Sequence, residues 1–380
     1  MSQPVRAFAA PAAAPLTVSL PAPTGPFPVG VTDLHLVDST RLDPWDLNRR
    51  RELMVRLWYP AADGGAGARH GWMRDGAQQS ETNFLADHGV PSTQWQLGPD
   101  PAQSGVPVRG VSGPFPIVAC SPGMISPAGW NTGLAEDLAS HGYIVAALNH
   151  THEAWAVRFP DGRVESGKVP FTMPPSEQSD VLVPIRVADT RFLLDQLTAL
   201  AQGGQIESES QIPKGLAAGL DIARIAMVGD SLGGSTTAQA MHDDRRIRGG
   251  VNLDGPIFGS VGVDGLDRPL LMLAGDDPAW TARPGWNANW TNNIGEKVLL
   301  RLVGAAHMSF IDQQVVIPQL ASAGLLPPGY AESIVGTIDP ARSIDLQRTY
   351  VRTFLNAVFA DADPRSAVND LAAPEIEVHP

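Results

Sequence analysis

Short apolar runs alternate with stretches of helical period from about residue 29 to about residue 360. Val31–Val37 carries apolar residues at Val31, Leu34, Leu36 and Val37, and Leu53–Tyr59 is a second run that Pro60 closes. These two read as an antiparallel entry into a sheet. From Phe115 the pattern changes. Phe115–Cys120 is an apolar strand, Asn131–Ser140 has helical spacing stopped by Gly142, and Tyr143–Leu148 is again a strand. A helix from Ser179 to about Leu200 places Val187, Leu194 and Leu197 on one stripe. Ile222–Val228 then leads into a glycine-rich turn and a helix over Ser231–His242. Gly250–Leu253, Pro269–Ala274 and Lys297–Val303 are further strands, and Ile344–Phe359 is the last helix.

Near-continuous apolar strands separated by helices predict an α/β fold. Its sheet is mostly parallel, has eight strands and is covered by helices on both faces. One domain is expected, over residues 29–362. Residues 1–28 read as a flexible Ala/Pro-rich arm, because proline recurs too often for helix or sheet. Residues 363–380 read as a tail. Residues 61–113 and 150–178 hold no sustained period and are expected to crown the carboxyl ends of the strands, where open α/β sheets bind ligands.

Composition narrows the choices. At 43% hydrophobic residues, global disorder is excluded, and 38 glycines with 34 prolines agree with many loops. A formal net charge of −13 opposes nucleic acid as a partner and opposes docking on anionic lipid by charge. No run approaches the ~20 apolar residues that span a bilayer. Residues 1–28 lack the basic start and continuous apolar block of a signal peptide, yet also suit a mature end left by leader removal, so location stays open. The single cysteine, Cys120, excludes an intrachain disulfide and reads as a buried, inert thiol. Oligomeric state is not legible.

Gly229-Asp230-Ser231-Leu232-Gly233 lies directly after a buried strand and directly before a helix. A serine on so sharp a turn needs glycines beside it, because a Cβ there meets the neighbouring backbone. The pattern is short and occurs by chance in other chains, so its place between strand and helix carries the reading. A hydroxyl becomes a nucleophile only when a base takes its proton. His307, just past the last strand, is the expected base, and the order serine, acid, histidine agrees. The acid has two candidate places: Asp254 after the sixth strand, and Asp276 or Asp277 after the seventh. His150 and His152 precede the serine, and His150 is a candidate at the rim of the substrate pocket. Trp280, Trp286 and Trp290 follow the seventh strand and are expected either to wall that pocket or to cap the core edge. Phe84, Trp95, Trp155 and Phe159 are equivalent candidates on the other long loops. No cofactor or metal is expected, since His150-x-His152-Glu153 is too isolated a set for zinc.

Several segments carry a family likeness. They are Val55-Arg56-Leu57-Trp58-Tyr59-Pro60, the run from Phe115 to Met124, the run from Asp137 to Ala147, the Gly229–Gly234 turn and Leu253-Asp254-Gly255. Over about residues 30–360 the chain resembles the platelet-activating-factor acetylhydrolases and their bacterial relatives. The resemblance implies an α/β-hydrolase fold and a carboxylesterase mechanism through an acyl-serine. It also implies Asp254 as the acid, with the backbone N–H groups of Met124 and Leu232 as the oxyanion hole. Ser121-Pro122-Gly123 departs from the Ser-His-Gly of that family. It is similar to bacterial cutinase-like polyester hydrolases, whose acid follows the seventh strand, so Asp277 stays open beside Asp254. The expected function is hydrolysis of short-acyl or lipid-like esters. A cutinase-like polyesterase or lipase, a peptidase and an inactive binding module are the competing readings.

Overall fold

Strands whose odd and even positions are both apolar must be covered on both sides, and this decides the architecture. The computed structural model describes residues 14–65, 67–69, 71–73, 76–110, 113–170, 172–208, 210–277 and 283–379. The central sheet has ten strands. They are β1 Val29–Asp43, β2 Asp46–Pro60, β3 Gln103–Ser104, β4 Phe115–Ser121, β5 Ile144–Asn149, β6 Leu220–Asp230, β7 Ile247–Leu253, β8 Leu270–Ala274, β9 Lys297–Leu302 and β10 Ile376–Val378. Their spatial order is β10-β9-β8-β7-β6-β4-β5-β2-β1-β3. The run from β5 to β9 is parallel, while β2 pairs antiparallel with both β1 and β5, and β10 is antiparallel to β9. The expected eight strands are therefore present, and β3 and β10 add one to each edge. Both are too short to show a periodic pattern.

The longer helices are α1 Ala77–Asp87, α2 Thr132–Ser140, α3 Val183–Ala201, α4 Leu232–Asp243, α5 Trp286–Asn292, α6 Gln313–Ser322, α7 Tyr330–Val335, α8 Pro340–Phe359 and α9 Pro364–Asn369. Alternate residues of each central strand enter different cores. Ile117, Ala119, Ile144, Ala146, Leu270 and Met272 pack with Val187, Leu194 and Leu197 of α3 and Ala238 of α4. Val118, Cys120, Val145, Ala147, Leu271 and Leu273 pack with Leu138 of α2 and Tyr350, Val351 and Phe354 of α8. Cys120 is buried, and burial pushes its thiol pKa up. Among the described residues no helix is long and apolar enough to cross a membrane.

Residues 14–28 and 363–379, the described parts of the expected arm and tail, pack onto the domain. Leu16–Val18 pairs with Trp95–Leu97, and Val18 is fully buried. Thr24 donates its N–H and its hydroxyl to Asp137 Oδ1 at 2.9 and 2.8 Å, and Arg348 Nη1 donates to Ala22 O at 3.0 Å. Beyond the short strand Leu16–Val18 the proline-rich segment forms no helix or strand before Val29, and side-chain donors and acceptors of α2 and α8 hold it down. At the other end, Asp363 caps α9 and Ile376 is buried as part of β10. The segment 61–113 contains α1, and 150–178 contains a hairpin of Ala156–Arg158 with Val164–Ser166.

A third core is built from Val18, Trp72, Leu85, Trp95, Val315 and their neighbours, and the fold also buries a group of carboxyls. Glu81 accepts from Gln313 Nε2 at 2.6 Å, and burial raises its pKa to about 8. Burial raises Asp312 to about 7. Glu136 stands well above the usual carboxylate range, first through burial and then through the adjoining Asp100 carboxyl. A carboxyl that is neutral in the fold but ionised in the unfolded chain binds more protons when folded. Stability therefore falls as pH climbs from the ordinary value of 4.5 for glutamate toward 8. Glu81→Gln is expected to weaken that fall. Urea unfolding should show the variant gaining on the wild type between about pH 5 and about pH 9, and a parallel pH dependence would contradict the assignment.

Candidate active site

The turn from β6 into α4 sets the site. Ser231 adopts φ 51° and ψ −123°, a conformation that side chains rarely take. A Cβ on Gly233 would stand 1.8 Å from Ser121 O, and one on Gly229 would stand 2.2 Å from Gly233 O. The turn closes only with glycine at these positions. Leu232 opens α4, where backbone N–H groups have no partner within the helix and the dipole favours negative charge.

Neighbouring strand ends bring the other groups. Asp254 follows β7 and also has positive φ, 57°. His307 begins a short 3-10 turn after β9. Its Nε2 lies 3.1 Å from Ser231 Oγ, and its Nδ1 lies 2.6 Å from Asp254 Oδ2. The other Asp254 oxygen accepts from Gly275 N at 2.6 Å and pairs with Arg283 Nη2 at 2.6 Å. The surrounding protein disfavours charge on His307, but the hydrogen bond and charge of Asp254 outweigh this, so its pKa is raised above 6.5. Since Nδ1 faces a carboxylate, it carries the proton in the neutral ring, and Nε2 is left to accept from Ser231. Asp276 is occupied elsewhere, accepting from Gly304 N at 2.7 Å and pairing with Arg301.

A cleft of about 370 Å³ opens over Ser231 and His307. Met124 and Ile125 line it beside the serine, Met308 and Ile311 near the histidine, and Ile334 comes from α7. Phe84, His88, Trp130 and Trp155 form an aromatic wall. Phe84 sits 4.6 Å from His88, 6.2 Å from Trp130 and 6.4 Å from Trp155, and the two tryptophans are 6.0 Å apart, ring centre to ring centre.

Several expected pocket residues stand elsewhere. Trp280 lies outside the described residues. Trp286 is buried, with Nε1 donating to Gly255 O at 2.7 Å. A buried indole N–H needs an acceptor, and this one turns α5 onto the core instead of over the serine. Trp290 packs at the core edge with Lys297 over its ring and His379 against it. His150 is buried behind the cleft, between Asp189 Oδ2 at 3.0 Å and Ser121 Oγ at 2.9 Å. Trp95 belongs to the third core, and Phe159 to a small cluster with Met54. Among the described residues no group of three or more His, Cys, Asp or Glu side chains is arranged to hold a metal.

Sequence reasoning missed four groups. Asp230, beside the serine, accepts from Asn131 Nδ2 at 3.1 Å and Gly123 N at 3.0 Å, and burial raises its pKa to about 6. Arg283 holds Asp254. Arg186 and Asp189 lie on α3 under the cleft floor. Only the Asp inside the glycine turn had a sequence signal. The other three are charged residues on a helix or in a loop, which usually face water.

A serine on a strand-to-helix bend, bonded to a histidine that an aspartate holds, at the carboxyl edge of a parallel sheet, is the arrangement that defines the class of α/β-hydrolases. Within that class, the chain belongs to the family of platelet-activating factor acetylhydrolase, isoform II, whose model matches residues 12–363. A probable 1-alkyl-2-acetylglycerophosphocholine esterase from Arthroderma benhamiae is 26% identical over 63% of this chain and 59% of its own length. The chain thus spans under two thirds of that fungal relative. The platelet-activating factor acetylhydrolase of Gallus gallus is 22% identical over 86% of this chain and 80% of its own. The solved structure of a ferulic acid esterase from Streptomyces cinnamoneus superposes with a TM-score of 0.75 and 30% identity, covering 96% of this chain and 99% of the other.

Because Trp155 walls the cleft and Trp290 does not, their removal separates. Trp155→Ala is expected to raise the kcat/KM ratio of p-nitrophenyl octanoate over butyrate by on the order of 10-fold, and Trp290→Ala to leave it unchanged. A chain-length panel on both variants checks this, and equal ratios would remove Trp155 from the acyl pocket.

Proposed function

We propose that this chain is a serine carboxylesterase for esters with small acyl groups, working through an acyl-serine. The observation that carries the reading is the continuous hydrogen-bonded chain from Ser231 Oγ through His307 to Asp254 at the floor of the cleft. In the proposed cycle His307 takes the Ser231 proton as Oγ attacks the ester carbonyl. The Met124 and Leu232 amides receive the oxyanion. The tetrahedral intermediate collapses, and His307 gives its proton to the leaving alcohol. Water, activated in turn by His307, then releases the acid. Asp254 keeps the imidazole in the productive tautomer and stabilises its charged form.

The cleft supports a small acyl group. Its volume of about 370 Å³ is near the low end of ligand sites, and aromatic and aliphatic side chains enclose it. A cutinase-like polyesterase needs a shallow open groove, and the walls formed by Phe84 and Trp155 oppose that reading. A second reading is favoured by one observation: the wall of Phe84, Trp130 and Trp155 suits a planar aromatic acyl group, such as the one released by the ferulic acid esterase this chain resembles. Methyl ferulate and p-nitrophenyl acetate, compared by kcat/KM, separate the two. Equal or better turnover of long-chain triglyceride emulsions than of acetate and butyrate esters would count against both.

Three outcomes are expected. An organophosphonate labels Ser231, as mass spectrometry of the tryptic peptide checks, and Ser231→Ala abolishes labelling. Asp254→Asn lowers kcat by ~10⁴, whereas Asp277→Asn stays near wild type. The base must be neutral, so activity rises with pH through the pKa of His307 and the acid limb of kcat/KM lies above 6.5. Asp254→Asn removes the contact that raises this pKa and moves the limb downward. A limb unmoved by that substitution speaks against Asp254 as the partner.

A further inference from the structure

Behind the cleft, the loop Ser121-Pro122-Gly123 is held by a buried ion pair that the cycle above does not use. Arg186 of α3 is 1% exposed. Its Nη1 donates to Pro122 O at 2.5 Å and to Ser121 Oγ at 3.2 Å, and its Nη2 donates to Gly123 O at 2.9 Å. Its Nε faces both oxygens of Glu153 at 2.9 Å, and Nη2 also bonds Glu153 Oε1. Glu153 is itself buried.

Peptide planarity gives these contacts a consequence. Gly123 C=O and Met124 N–H belong to one peptide unit and point in opposite directions. Fixing the carbonyl on Arg186 therefore turns the Met124 N–H away from α3, and Met124 lines the cleft beside Ser231. The preceding peptide is clamped at both ends, with Pro122 O on Arg186 and Gly123 N–H on Asp230 Oδ2 at 3.0 Å. The loop cannot rotate about one bond without breaking contacts at another. A guanidinium on the carbonyl also draws electron density from the N–H end, making it a stronger donor.

The third contact is oriented as well. Burial and the nearby Arg186 charge lower the pKa of His150, so its ring is neutral. Nδ1 faces Asp189 and carries the proton, leaving Nε2 to accept from the Ser121 hydroxyl. The Ser121 oxygen is then free to accept from Arg186. Burial alone would raise the Asp189 pKa, but Arg51 and the His150 bond hold it far below the carboxylate range. Arg51 makes two contacts with Asp189, at 3.0 and 2.6 Å.

We propose that Arg186, held by Glu153, is a positioning residue that aims the Met124 amide at the oxygen on which charge develops during ester cleavage. The proposal rests on Ser231 as the nucleophile. A lysine cannot span two carbonyls, a hydroxyl and a carboxylate in one plane, so Arg186→Lys keeps the charge and loses the aim. The test counts active sites with an organophosphonate carrying a p-nitrophenyl leaving group, then measures kcat and KM for p-nitrophenyl acetate per labelled site. Arg186→Lys is expected to label fully at endpoint, to lose at least ~10-fold in kcat, and to keep KM within about twofold. The acid limb of its pH profile should match wild type, because the His307–Asp254 contact is untouched. A purely structural role lowers the labelled fraction and leaves the rate per labelled site intact, and that result overturns the proposal. Where Arg186→Lys does not fold, Glu153→Gln decides by the same rate per labelled site. Failure of the phosphonate to label Ser231 in the wild type defeats the nucleophile reading instead, so the two failures are distinct.

Discussion

Ser231 stands in the cleft because three stretches of backbone approach more closely than a Cβ permits. The end of β4 runs against the first turn of α4, and Ser121 O faces the position where a Gly233 side chain would begin. The serine pays for that approach with a left-handed φ, a strain of about 1–3 kcal/mol. The surrounding structure holds it there. Ser231 N donates to Leu253 O at 2.8 Å, and α4 packs on β6 and β7. Widening the gap by a single methyl at Gly229 or Gly233 would separate β4 from the turn, and with it the Met124 loop from the serine.

The same stitching repeats along the carboxyl edge of the sheet. Ser231 N bonds to Leu253 O, Asp254 N to Leu273 O at 2.8 Å, and Asp276 N to Ala305 O at 2.7 Å. Each loop is tied to the strand beyond it, so serine, aspartate and histidine inherit their spacing from parallel register and not from their own flexible loops. That explains why Asp254, one strand from the serine, reaches His307, while Asp276 is spent on Gly304 and Arg301. Which aspartate meets the histidine is decided by which turn bends back toward it. Asp254 does so with a positive φ that strand-end spacing does not reveal.

The sheet was legible because its physics is local. Apolar runs of alternating facing, the glycine turn and the histidine after the last parallel strand are all short-range patterns, and they located β1, β2 and β4 to β9 together with Ser231 and His307. What was not legible depended on distant partners. Residues 14–28 have no period, and their anchors, among them Trp95–Leu97, Asp137, Gln319 and Arg348, lie far along the chain. The tryptophans of α5 carry the composition of a pocket wall, yet the Gly255 carbonyl captures Trp286 and the core edge takes Trp290. The wall came instead from Phe84 and Trp155, candidates on the long loops, and from Trp130, which carried no such signal. Arg186 and Asp189 resemble solvent-facing positions of a helix until the partners that neutralise them are known.

Those partners point to an asymmetry in the site. The Leu232 amide needs no fastening, because it begins a helix whose hydrogen bonds hold it rigid. The Met124 amide ends an irregular loop, which by itself has many accessible conformations. Aliphatic packing cannot fix a peptide plane, since dispersion has no direction, whereas a planar guanidinium with several donors can. A buried charge is disfavoured unless paired, and so Arg186 requires Glu153, just as Arg51 requires Asp189. A purely apolar floor of equal volume would be at least as stable. The charged floor makes sense as a means of holding one N–H vector, a task that stability alone does not demand.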